Sequence, residues 1–316
     1  ILYQKNDQWF ITEVSDELKS GDGQLALDKI VVRADPVAEW KQIFHEAWRV
    51  NRDWFYDPNY HGADWDAMRD KYAQFLPELA TREDLERVIQ WMLSELAVGH
   101  SYQTPGEHPD ENETVPVGLL GADYELSENR YRFKKIYGGL NWNPELRSPL
   151  RAAGVQVEEG DYLIAVNDQE LSSESNIFRA FEYTLDRQTK IKVADNAKGK
   201  NAREFVVTPI ATETRLRYLD WVESNLAYVN ERTQGRVAYV HVPNTADFGH
   251  EMFKRYFYPQ SHKEAIILDE RYNGGGLIAD YYIDILRRPY ISHWTMRYGD
   301  DLISPRAAIL GPKVML

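Results

Sequence analysis

Residues 265–286, AIILDERYNGGGLIADYYIDIL, decide how the chain folds. The first four are a short, uninterrupted apolar run rich in isoleucine, the composition of a strand buried on both faces of a parallel sheet. Leu277, Ile278, Tyr281, Tyr282 and Leu286 then recur at helical spacing, so a helix is expected to follow. The join holds Asn273, Gly274, Gly275 and Gly276, a nearly bare backbone. Such a turn at the positive end of a helix can present N–H groups to an anion or a developing oxyanion; equally, it can serve only positive φ or close packing. The residues alone leave both readings open. The run lacks the G-x-G-x-x-G spacing of a dinucleotide site, and no G-x-x-x-x-G-K-[ST] occurs, so phosphate cradling has no support.

Upstream, residues 236–241 read as a strand and 248–258 as an aromatic-rich helix, which completes a βαβ unit with parallel strands and an expected right-handed crossover. The glycine turn then falls at the carboxyl end of a strand, where open α/β sheets carry their sites. A connecting helix over 216–229 precedes the unit. From 115 to about 210 the pattern is different: 123–126, 131–136, 190–193 and 205–207 read as short strands and 177–185 as one helix. Ser148-Pro149-Leu150, Gly154-Val155, Gly160-Asp161 and the following LIAVN resemble a PDZ domain. In that resemblance Gly118, Leu119, Leu120 and Gly121 fall where a carboxylate-binding loop leads into the peptide-pairing strand. The module either takes peptides there or packs only on its neighbours.

Residues 36–104 read as a small helical domain. Asp35-Pro36 starts a helix with Trp40, Phe44, Ala47 and Trp48 on one face, a second follows Asp64, and a third begins at a Thr81/Asp84 capping box. The third helix is expected to end at Gly99, which sets His100 at a helix C-terminus. There the macrodipole favours imidazolium, suiting a general base, although a histidine that merely caps the last carbonyls fits the same position. His45-Glu46 does not continue into a zinc motif, because Arg49 holds the last position. Residues 1–35 carry short β-like pieces, 8–14 and 29–33, around a turn at 20–23.

The net charge of −13 argues against nucleic acid and anionic membrane surfaces as partners. No apolar run approaches a membrane span, and the N-terminus does not read as a signal peptide. The absence of cysteine removes disulfides, thiol nucleophiles and cysteine metal sites. No metal or cofactor is called for. Ile1 and the strand-like residues 313–316 suggest a piece of a longer polypeptide.

The runs EAWRVNRDWFYD (46–57), HGADW (61–65), SELAVGHSY (94–102), GLLGADY (118–124) and DERYNGGG (269–276) together resemble the tricorn protease family, serine peptidases related to the C-terminal processing proteases. The resemblance implies a multidomain α+β chain. Its parts are the tail of an upstream β-propeller (1–35), a helical domain with the catalytic histidine (36–104), a PDZ-like domain (115–210) and the start of a crotonase-like or ClpP-like α/β catalytic domain (211–316). It implies His100 as general base, Gly276 as an oxyanion-hole glycine, a nucleophilic serine and a supporting glutamate beyond Leu316, and therefore an inactive fragment. Peptide or unfolded-protein substrates, a homo-oligomer, hexameric by family likeness, and a cytoplasmic or alternatively periplasmic setting are further implications. Two positions depart from the family: Gly99 replaces a serine before the base, and the acid of the specificity pocket aligns with Trp294, with Asp300 or Asp301 as substitutes. A PDZ-bearing, peptide-binding scaffold without catalysis is the alternative function.

Overall fold

Residues 1–14, 21–104 and 114–316 are described by the computed structural model, in which the chain forms two compact units, Ile1–Glu113 and Thr114–Leu316. The first opens with an antiparallel hairpin of β1 (Leu2–Lys5) and β2 (Gln8–Ile11), turning through Asn6 and Asp7. The strand expected over 29–33 does not form. Leu27–Lys29 is a 3-10 turn, and Ile30, Val31 and Val32 are exposed and pair with no strand among the described residues. Backbone without a partner cannot join a ladder, whatever its side chains favour. Of the expected turn at 20–23, Gly21 and Gly23 adopt positive φ, while Ser20 lies outside the described residues.

Three helices follow, each started by the residue its sequence nominates. The Asp35 carboxylate accepts from Ala38 N–H to open α1 (Pro36–Trp54), Asp64 accepts from Ala67 N–H to open α2 (Trp65–Ala73), and the Thr81/Asp84 capping box opens α3 (Arg82–Ser94). Phe44, Trp48, Trp65, Tyr72, Leu85 and Met92 form their shared core. Trp48 and Trp65 donate their indole N–H groups to one another's carbonyls at 2.9 and 3.0 Å, so both rings are buried with their polar atoms satisfied. The end of α3 corrects the expectation from sequence: the helix stops at Ser94, well before Gly99. The N–H groups of Glu95, Leu96 and Ala97 turn back onto Met92, Leu93 and Ser94, and Ala97 at positive φ breaks the run.

The second unit begins with an antiparallel sheet of β3 (Ala122–Ser127), β4 (Arg130–Ile136), β5 (Tyr162–Val166), β7 (Thr189–Ala194) and β8 (Arg203–Val207), in that order, with β6 (Gln169–Glu170) paired to β5. Leu120, Phe133, Leu150, Leu163, Ile191 and Val193 fill its core. The helix expected over 177–185 is a shorter 3-10 segment, Ile177–Phe181. Glu182 bridges to Val117, and Tyr183 N–H donates to Pro116 O at 2.7 Å, which draws the chain out beyond Phe181.

After α4 (Thr214–Arg232) come β9 (Val237–His241), α5 (Asp247–Phe257), β10 (Ala265–Asp269) and α6 (Ala279–Leu286). A separate hairpin of β11 (Ser292–Trp294) and β12 (Leu302–Ser304) precedes β13 (Lys313–Met315). Strand β10 lies between β9 and β13 and is parallel to both. That central position is why its sequence is apolar without alternation. Val222 of α4, Phe253 and Phe257 of α5, and Tyr282 and Ile285 of α6 share one core with Tyr239, Val240 and Ile266. Among the described residues no helix is long and apolar enough to cross a membrane.

Candidate functional site

At the carboxyl end of β10 the chain is tied to the loop that leaves β9. The Asn273 amide donates to Val242 O at 3.0 Å and to Glu270 Oε2 at 2.9 Å, while its Oδ1 accepts from Gly275 N–H at 2.7 Å. Gly274 N–H donates to Pro243 O, Thr245 N–H to Gly275 O and Ile278 N–H to Thr245 O, at 2.9, 2.8 and 3.0 Å. Gly276 is pressed against this loop at φ +141°, where a Cβ would stand 2.1 Å from Thr245 O, so no other residue fits without moving the loop. Gly276 is an exposed residue, and its own N–H donates to no acceptor among the described residues. A fixed, unspent backbone donor is the component that a developing oxyanion requires. The structure also shifts the start of the expected helix: Leu277 is 97% exposed and Ile278 is the N-cap of α6. Gly276 is therefore a turn amide ahead of the helix.

Behind the turn lies a buried polar network that sequence reasoning missed. Fully buried Asp269 accepts from Tyr239 O–H at 2.7 Å and from the Arg271 guanidinium at 2.6 and 2.9 Å. Burial would raise the Asp269 carboxyl, but the hydrogen bonds from Arg271 and Tyr239 outweigh it and hold it at about 2. His241 is also buried, with Nε2 2.8 Å from Arg271 O and Nδ1 2.9 Å from Tyr218 O–H. A carbonyl only accepts, so Nε2 carries a proton toward Arg271 O. His241 thus anchors the backbone from which the glycine turn departs. Burial raises the neighbouring Glu270 carboxyl, against the opposing hydrogen bond from Asn273. The only local signal was the cluster of charges, Asp269, Glu270 and Arg271, ending an apolar run.

His100 belongs to the first unit and Gly276 to the second. Residues 95–99 separate His100 from the end of α3, so the imidazole is not on the last helical turn as expected. It is exposed, edge-on to Tyr102 with ring centroids 6.1 Å apart, and makes no hydrogen bond among the described residues. Trp294 ends β11 opposite Leu302 and is 67% exposed, with Asp300 and Asp301 in the loop between β11 and β12.

The loop 118–121 is drawn into the antiparallel module. Gly118 N–H donates to Phe181 O, Leu119 exchanges two backbone hydrogen bonds with Ile210, and Leu120 is buried. Gly121, at φ +76°, turns the chain into β3. The N–H groups of Gly121 and Ala122 both donate to Glu213 Oε1, at 2.7 and 3.2 Å. Glu213 Oε2 accepts from Arg217 Nε and Nη2 at 3.0 and 2.6 Å, and Arg217 Nη1 also pairs with Asp123 at 2.7 Å. Burial raises the Asp123 carboxyl, but hydrogen bonds from Tyr137 and Arg217 more than offset it and keep the group below its ordinary range. Beside the loop is a cavity of about 600 Å³ lined by Leu119, Tyr124, Tyr131, Ile177, Phe178 and Phe181. Sequence reasoning named this loop but not Glu213.

The family model for the Tricorn protease C1 domain matches residues 36–94, and that for the Tricorn protease PDZ domain matches residues 118–212. A tricorn-like relative from Sulfurisphaera tokodaii is 35% identical over 311 residues, which cover 96% of this chain and 35% of the relative. Tricorn protease homolog 1 of Streptomyces coelicolor is 32% identical over 309 residues, covering 95% of this chain and 28% of the relative. The chain therefore spans about a third of the length of the curated relatives it matches. The crystal structure of the tricorn protease shares its fold with a TM-score of 0.80 at 27% identity, over 92% of this chain and 28% of that one. Domain matches, near end-to-end alignment and common fold agree, and the chain belongs to the tricorn protease family.

Proposed function

We propose that the chain is part of a serine endopeptidase that hydrolyses peptides or unfolded protein by acyl transfer. The observation that carries this reading is the unspent N–H of Gly276, held rigid at the carboxyl end of parallel strands. In the proposed reaction His100 accepts the proton of a serine hydroxyl as its oxygen bonds to the scissile carbonyl carbon. The carbonyl oxygen takes up the negative charge facing Gly276 N–H, with a second donor outside residues 1–316. On collapse the C–N bond breaks and His100 passes the proton to the departing amine. Water then attacks the acyl-serine with the same base, releasing the acid and restoring the serine. The serine itself is assigned outside 1–316, as the resemblance implies.

In the same reading, residues 1–35 end an upstream propeller, 36–104 carry the general base, 211–316 begin the catalytic domain, Trp294 lines the specificity pocket, and the assembly is a homo-oligomer. Residues 1–316 alone are expected to cleave no unfolded peptide and to take no stoichiometric label from an active-serine phosphonate. Hydrolysis is expected once the polypeptide is extended past Leu316. Stoichiometric labelling of 1–316 would overturn the assignment. The groove beside Leu119 and Phe181 favours a second reading, a peptide-binding scaffold, and that reading alone survives if the extended polypeptide binds peptides without cleaving them.

A further inference from the structure

The antiparallel module holds an anion cradle that already has an occupant. Two consecutive backbone N–H groups, those of Gly121 and Ala122, converge on one oxygen of the Glu213 carboxylate at 2.7 and 3.2 Å, and the other oxygen is taken by the Arg217 guanidinium. Glu213 is itself buried, at 8% exposure, and immediately follows the segment matched as a PDZ domain. Arg217 is in turn held by Asp123 and by Tyr137 O–H, at 2.7 and 2.8 Å. The cradle leads directly into β3, the terminal strand of its sheet, and the cavity lined by Tyr124, Ile177 and Phe181 runs beside it. A sheet edge next to an apolar cavity accepts an extended peptide by backbone pairing, and consecutive backbone N–H groups capture a carboxylate at its end.

We propose that Glu213 fills this cradle in place of a peptide's terminal carboxylate, so that the groove beside β3 is closed to free C-termini and admits extended segments from the interior of a polypeptide. Glu213 occupies the cradle whether or not the chain takes part in peptide hydrolysis. A side-chain carboxylate and a terminal carboxylate are the same acceptor. Being tethered, Glu213 competes at an effective concentration in the millimolar range, about a thousandfold above a peptide at micromolar concentration. The charge-assisted bonds at both its oxygens add to that advantage.

The test uses fluorescein-labelled octapeptides ending in Val, Leu or Phe, each made as the free acid and as the C-terminal amide, with binding to the whole chain read by fluorescence anisotropy. The unaltered chain is expected to bind the amide and to hold the acid within about twofold of it, and a chain that binds no amide overturns the groove as a site for interior segments. Glu213→Ala is expected to bind the acid at least about tenfold more tightly than the unaltered chain does, with no gain for the amide. Glu213→Gln, which keeps an oxygen for the cradle but loses the charge, is expected to fall between the two. An unaltered chain that prefers the acid by about tenfold or more overturns the proposal whether or not either variant folds. So does the lack of any acid-selective gain in a variant whose circular dichroism and melting match the unaltered chain.

Discussion

His61 reaches across the helical unit to the carbonyl of Leu96, with Nδ1 2.8 Å from that oxygen and Nε2 2.5 Å from Tyr56 O–H. The carbonyl belongs to the turn just beyond α3, where oxygens lack the donors that a continuing helix would supply. His61 therefore supplies a side-chain donor to the segment that leads to His100. Replacing it by alanine leaves a partly buried acceptor unpaired, which costs about 1 to 3 kcal/mol. His61→Ala is expected to lower the urea midpoint followed by tryptophan fluorescence. An unchanged midpoint would show that the bond is incidental.

His100 should behave in the opposite way. It is exposed and makes no hydrogen bond among the described residues, so His100→Ala is expected to shift stability by less than about 0.5 kcal/mol. In the extended polypeptide the same change should lower kcat by about 10²- to 10⁴-fold, the usual contribution of a general base. Full activity in the variant would remove His100 from the mechanism.

Gly275 and Gly276 separate two costs that are easily confused. A Cβ at Gly275, φ +82°, meets nothing within 4 Å, so Gly275→Ala bears only the left-handed backbone cost of about 1 kcal/mol. A Cβ at Gly276 would meet Thr245 O at 2.1 Å, and Gly276→Ala must also displace the loop after β9. Thermal melting is expected to rank Gly276→Ala clearly below Gly275→Ala. In the extended polypeptide only the Gly276 variant should lose about 10²- to 10³-fold in kcat, the effect of a misplaced oxyanion donor. Equal losses at the two positions would refute the distinction.

The features read correctly from sequence are local ones. Asp35, Asp64 and the Thr81/Asp84 pair start helices through bonds spanning three residues, and the apolar run at 265–268 reports burial of a central strand. What the sequence concealed depends on distant pairings. Glu213 meets a loop 92 positions away, the segment after Phe181 is extended by Val117 and Pro116, and His241 finds its partners on α4 and at residue 271. The end of α3 was misjudged because Ala97, a strong helix former, takes positive φ where Gly99 seemed the natural stop. Gly276 was legible as bare backbone, but the collision that makes glycine obligatory there comes from Thr245 on another loop.

Acid should weaken the α/β unit through Asp269. Its carboxyl sits at about 2 against an ordinary 3.8, so the folded state holds the proton less tightly than the unfolded chain. A depressed carboxyl contributes stability in full above its unfolded value and loses it as the pH falls through its folded value. That contribution, about 2 kcal/mol, is expected to disappear between about pH 5 and pH 2. Urea unfolding across that range should show the slope in the unaltered chain and a reduced slope in Asp269→Asn. The same slope in both would assign acid sensitivity to other groups.

In the extended polypeptide, Trp294 is expected to favour apolar residues before the scissile bond. Without a carboxylate partner a cationic side chain forfeits about 2 to 5 kcal/mol, whereas burying an apolar one gains about 1.5 to 3 kcal/mol. Peptides differing only at that residue should give a higher kcat/KM for leucine than for arginine, with the order reversed in Trp294→Asp. A preference for arginine that is unchanged in the variant would exclude Trp294 from the pocket and point to Asp300 or Asp301.

The ties between the two loops also make the glycine turn its own reporter. Amide protons of Thr245, Gly274, Gly275 and Ile278 are all engaged, while that of Gly276 has no acceptor among the described residues. In deuterated water the Gly276 proton should be replaced rapidly while its bonded neighbours await an opening of the turn. An oxyanion mimic that settles on the turn would then slow one resonance and leave those neighbours as they were, marking the donor atom without any assay of turnover.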